Sequence, residues 1–131
     1  MNDRSRTLRI VIGCDSDPDR PGFVPNVTEE GRSWRGLAEG PSRLKELTKD
    51  LKDSKGKNPK VTWVLRADEQ IKQLYGDYGS VLDNFKDHLL NLERDGDELG
   101  WHPHFYRFDE KQKKWYQELH SIDWQVEMLE K

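Results

Sequence analysis

The chain has a single cysteine, Cys14, so it can close no disulfide within itself, and nothing in its cysteine usage points to an oxidising compartment. It also lacks any long apolar stretch. The longest, residues 8–13, is too short for the core of a signal peptide and far too short for a membrane span, so the expectation is a cytoplasmic protein with no membrane partner. A basic stripe is missing as well: 22 Lys and Arg are interspersed with 25 Asp and Glu for a formal net charge of -3, which argues against nucleic acid as a partner. Hydrophobic residues make up only 33% of the chain and charged residues 36%, which leaves little apolar surface to offset the entropy of ordering the backbone. Five Trp, four Tyr and four Phe nevertheless argue against a disordered chain. At 131 residues without an internal repeat, the expectation is one domain, residues 1–131, with a thin core.

The pattern along the chain alternates strand with helix. Residues 8–14 (LRIVIGC) form a β-branched run that predicts a buried parallel strand, and a long Asp-, Pro- and Gly-containing loop follows from Asp15 to about Gly40. Leu44, Leu47 and Leu51 fall at helical spacing behind Pro41 and Ser42. Residues 60–66 (KVTWVLR) predict a second strand. Ser80 with Asp83 resembles a capping box ahead of the stripe Val81, Leu82, Phe85, Leu89, Leu90 and Leu92, which predicts one helix ending at Asp95-Gly96. Residues 98–102 (ELGWH) predict a third strand, and Trp115, Leu119, Ile122, Val126 and Leu129 a last helical region. Strand-helix-strand-helix-strand predicts α/β architecture with parallel pairing and right-handed crossovers. A complete (β/α) barrel takes about 250 residues, so the expectation is about half of a barrel, with open strand edges covered by self-association or by a further carboxyl-terminal segment.

Side chains alternate across a strand, so Asp15 and, in continued extension, Asp17 share a face opposite to Ile12 and Cys14, while His102 and His104 share a face opposite to Leu99 and Trp101. Pro18 and Pro103 restrict Asp17 and His102 to extended conformations. Two carboxylates and two imidazoles are thereby predicted at the carboxyl-terminal rim, where α/β barrels build their active sites. Imidazole nitrogens with a carboxylate and an open position suit a catalytic divalent metal, zinc first among them, and a second carboxylate would serve as general base. Taken singly, each motif has a plainer reading. Asp15, Asp17 and Asp19 also read as solvated turn residues, and a His-x-His pair as local hydrogen bonding. Arg66 and Asp68, at the end of the second strand, either contact substrate or leave Asp68 to cap the following turn. Trp63 and Trp101 are expected to pack against helices, and His88 and His120 to be structural or exposed.

The segment Glu98-Leu99-Gly100-Trp101-His102-Pro103-His104 resembles the histidine motif of the polysaccharide deacetylase (NodB-homology) family, and Gly13-Cys14-Asp15-Ser16-Asp17 is similar to that family's paired aspartates after the first strand. The resemblance implies a NodB-like partial barrel and a metal-dependent hydrolase that removes acetyl groups from N-acetylated carbohydrate. It further implies Asp15 as general base and Asp17, His102 and His104 as metal ligands. Ser16 separates aspartates that are adjacent in the family, so their two roles are interchangeable. The family's second histidine stands four positions after the first, where this chain has Tyr106, and His104 takes that role only in a His-x-His arrangement. Later family motifs, which carry the general-acid histidine, have no counterpart here, so the resemblance covers the amino-terminal portion alone. The alternative expectation is a non-catalytic metal- or carbohydrate-binding fragment.

Overall fold

The computed structural model of the protein describes residues 8–19 and 33–131. Three short strands, β1 (Gly13–Ser16), β2 (Thr62–Leu65) and β3 (Glu98–Trp101), form a parallel sheet in the order β1-β2-β3. Cys14 pairs with Trp63, and Trp63 with Leu99, so each layer of side chains runs level across all three strands. The helix α1 (Arg35–Thr48) connects β1 to β2, and α2 (Glu69–Tyr75), α3 (Ser80–Asn84) and α4 (Lys86–Arg94) connect β2 to β3. The fold is therefore mixed α/β with a parallel sheet. Among the described residues the sheet closes into no barrel, since β1 and β3 are both edges. No helix among them is long and apolar enough to cross a membrane.

One face of the sheet is covered. Trp63 and Leu65 pack there with Trp34, Leu37, Val61, Ile71, Val81, Leu89 and Leu92, a core drawn from β2 and the connecting helices α1 to α4 or their flanks. Burying Trp63 removes its indole N–H from water, and Asp97 restores the lost partner: its Oδ2 accepts from Trp63 Nε1 at 3.0 Å and its Oδ1 from Val61 N at 3.2 Å. The opposite face carries Gly13, Asp15, Thr62, Val64, Glu98 and Gly100, and none of these is fully buried. Asp15 sits on that open face as strand parity requires.

Several expectations need correction. The first strand does not span residues 8–14: Leu8, Ile10 and Val11 are 82%, 75% and 86% exposed, and the ladder begins at Gly13 with Thr62 N donating to Ile12 O at 2.9 Å. The helix α1 starts before Pro41. Its first amides find a cap from 16 and 17 residues upstream, where Asp19 accepts from Arg35 N and Gly36 N, each at 3.1 Å, and also from the Ser33 hydroxyl. Its buried stripe is Leu37 and Pro41, with Leu44 partly buried, whereas Leu47 and Leu51 are exposed. Pro41 cannot donate to the carbonyl of Leu37 one turn earlier; His88 Nε2 lies 3.1 Å from that oxygen and takes the missing donor's place. His88 is thus structural. Much of the long loop predicted after Asp15 lies outside the described residues.

The single helix expected from Ser80 is broken at Phe85, whose φ of -117° and ψ of 16° interrupt the helical course between α3 and α4. Ser80 is no cap: Gly79 holds the N-cap position, and the buried Ser80 hydroxyl has no hydrogen-bond partner among the described residues. The predicted stop at Asp95-Gly96 is present, with Gly96 at φ 89° donating to Glu93 O at 2.8 Å. The last region is a hairpin before it is a helix. Strands β4 (Tyr106–Asp109) and β5 (Lys114–Gln117) pair antiparallel, Phe108 opposite Trp115 with ring centroids 5.3 Å apart, and only then does α5 (Ile122–Leu129) follow. Trp115 is therefore a strand residue, and Leu119, Ile122, Val126 and Leu129 are exposed, although their spacing imitates a buried helical stripe.

Candidate functional site at the carboxyl ends of the strands

The ladder continues one step past the strands. Arg66 N donates to Ser16 O at 3.2 Å and His102 N to Leu65 O at 2.8 Å, so Asp17, Arg66 and His102 leave the three strands at the same level. Asp68 and His104 stand two residues further along their chains. All six predicted site residues, Asp15, Asp17, Arg66, Asp68, His102 and His104, thereby lie at one rim of the sheet.

Within that rim they form two connected groups. In the first, the imidazoles of His102 and His104 meet with 2.7 Å between their Nε2 atoms, and the other ring nitrogen of His102, Nδ1, lies 3.4 Å from Asp15 Oδ1. Two nitrogens at that separation share one proton, so one donates and the other accepts. Asp15 has a side chain 61% exposed and is the accessible carboxylate of the site. In the second group, the guanidinium of Arg66, only 1% exposed, donates from Nε to Asp68 Oδ2 at 2.6 Å, from Nη1 to Asp17 Oδ1 at 3.1 Å, and from Nη2 to Gln70. A planar fork is suited to holding three acceptors at fixed angles. The groups join where His104 N donates to Asp68 Oδ2 at 3.1 Å.

This arrangement distinguishes between the two readings of the second strand's end. Arg66 is buried against protein acceptors. Asp68, also buried, caps α2 by accepting from Gln70 N at 3.0 Å and Ile71 N at 3.1 Å. Among the described residues both side chains are turned to protein partners. Trp101, expected in the core, is 45% exposed, and its indole N–H donates to Ala67 O at 2.9 Å. Sequence reasoning passed over Gln70 and Asp97. Gln70 is four residues after Arg66 on the first turn of a helix capped by Asp68, a spacing visible in the chain; Asp97 has no comparable signal, because its partners are 34 and 36 residues away.

Burial, and next the nearby Arg66 guanidinium, push the His104 imidazole below the ordinary histidine range. The folded state then binds fewer protons at this site than the unfolded state, and folding stability rises with pH through that window. For metal-free protein the expected result is maximal His104-linked stability above about pH 6.5, lost progressively as the pH falls below it. Urea unfolding at successive pH values should show this slope and show it reduced in His104→Asn; an unchanged slope in the variant would place the linkage elsewhere.

In donor chemistry the two imidazoles fit a divalent ion, and Asp15 beside His102 is the kind of carboxylate that fixes the orientation of a ligating histidine. Among the described residues, the carboxylates of Asp15, Asp17 and Asp68 against the Arg66 guanidinium leave a surplus of negative charge in this group. Yet among the described residues no three His, Cys, Asp or Glu side chains stand together as a metal-holding group. Asp17, expected as the third ligand, is engaged by Arg66.

Comparison with family models, with curated proteins and with solved structures finds no match to this chain.

Proposed function

We propose that this chain is a metal-dependent hydrolase domain of the polysaccharide deacetylase type, with a NodB-like partial barrel, acting on N-acetylated carbohydrate. The observation that carries this reading is the pair of imidazoles facing each other at 2.7 Å between Nε2 atoms, at the strand ends, with Asp15 and Asp17 at the same rim. His102 and His104 would hold the ion, zinc by preference, with Asp17, at the same rim, as the candidate third ligand once released from Arg66. When bound, such an ion supplies Lewis-acid polarisation of an acetamide carbonyl and acidifies a water. The chain's own contribution is to keep His104 neutral through burial and to present Asp15, the exposed carboxylate, as general base for the water's proton. Arg66 holds Asp17 by an ion pair, which supports the assignment of the base to Asp15 in preference to Asp17.

The second reading, a metal- or carbohydrate-binding module without turnover, is favoured by one observation: the missing third donor among the described residues. Measuring bound zinc and acetate release from chitin oligomers, with and without chelator, separates the two. Zinc uptake with chelator-sensitive acetate release is the expected result. Zinc uptake without acetate favours the binding module, and failure to take up any divalent metal overturns the hydrolase and the metal-binding form of the module alike.

A further inference from the structure

We propose that Asp68 is a positioning residue for the His-x-His segment, an inference that rests on the metal-site reading above and concerns how that site is held. The carboxylate of Asp68 is divided between two duties. Its Oδ1 accepts from Gln70 N and Ile71 N and so starts α2, while its Oδ2 accepts from Arg66 Nε at 2.6 Å and His104 N at 3.1 Å. The second duty reaches across from the end of β2 to the segment after β3.

The backbone around the imidazoles shows why that reach matters. His102 N is committed to Leu65 O, the last rung of the sheet. Pro103 has no N–H to offer. Tyr106 N donates back to His104 O at 2.8 Å, within the segment itself. Beyond the last rung of the sheet, the His104 amide thus ties this stretch to the β2 end, and its acceptor is the same oxygen that receives the buried guanidinium of Arg66. Because Arg66 also holds Asp17, the carboxylate of Asp68 sets the His104 ring relative to groups coming from all three strands. A buried acceptor used twice on one oxygen has little freedom to shift, which is the condition for holding two imidazole nitrogens in a fixed mutual position.

The two duties can be separated chemically. Asn serves as a helix N-cap about as well as Asp, so Asp68→Asn keeps the Oδ1 function. Its second atom becomes an NH2 group, which cannot accept from Arg66 or from His104. Asp68→Ser likewise retains a cap and deletes the second oxygen, and it replaces Asp68→Asn if the latter does not fold. The readouts are zinc affinity by competition titration, hydrogen-exchange protection of the His104 amide, and the nuclear Overhauser contact between the His102 and His104 rings. The expected result is a folded variant with an unprotected His104 amide, a weakened ring contact and zinc affinity lowered by about 10- to 100-fold. Unchanged affinity and ring contact, with only thermal stability reduced, would overturn the proposal and leave Asp68 as a helix cap. If the natural chain takes up no zinc, the metal reading fails by itself. The ring contact and the amide protection in Asp68→Asn then still decide the positioning role: their loss supports it and their persistence overturns it.

Discussion

Arg66→Met is expected to destabilise the fold by about 3–5 kcal/mol, because it strands the Asp68 carboxylate in the interior and leaves Asp17 without its cation. The Asp68 side chain is 3% exposed, so water cannot replace the lost guanidinium, whereas Asp17 at 31% recovers part of its solvation. The cost belongs to the uncompensated charge more than to the missing attraction. Adding Asp68→Asn to Arg66→Met removes that charge while retaining the cap of α2, and the double variant is therefore expected to regain part of the loss. Urea unfolding of the two variants and the natural chain provides the measurement. A cost below about 1 kcal/mol for Arg66→Met would mean that the buried network contributes little to folding.

The other large effect concerns the imidazoles. On the proposed function, His102→Ala and His104→Ala each remove one of two facing nitrogen donors and are expected to lower zinc affinity by roughly 100-fold or more, since even outer partners of ligating histidines account for about 10- to 100-fold. Chelator-sensitive acetate release should disappear with it. Folding should be affected far less than in Arg66→Met, since both imidazoles are only partly buried and the sheet rung at His102 uses its backbone. Zinc affinity by competition titration and thermal unfolding, measured on the same samples, separate the two effects. Retention of full affinity in both variants would remove the imidazoles from the site and with them the deacetylase reading.

Much of the sheet was legible because its signals are local. Strand parity is a property of consecutive residues, so the assignment of Asp15 to the face opposite Cys14, and of Trp63 to the covered face, followed from the order of side chains alone. The interrupted helix at Phe85 and the hairpin from Tyr106 to Gln117 were not legible in this way. At Phe85 the apolar spacing of three and four runs on across a break in the helix, and from Trp115 to Leu119 it imitates a helix; the correct reading there depends on which side chains find a partner, since Phe108 and Trp115 meet across a turn while Leu119 and Ile122 are exposed. The start of α1 was hidden for a related reason, since its cap, Asp19, belongs to a different part of the chain.

The amino-acid sequence by itself determined the α/β alternation, the parity of the three strands and the arrival of Asp15, Asp17, Arg66, Asp68, His102 and His104 at one rim. Only the tertiary structure decided how those six divide. Arg66 draws Asp17 and Asp68 into a buried ion network, and His102 turns to His104 and Asp15. The physical reason is that alternation along a strand assigns a residue to a face, whereas the choice among near and distant charge partners depends on burial and on which segments the fold brings together, as with Asp17 and Arg66.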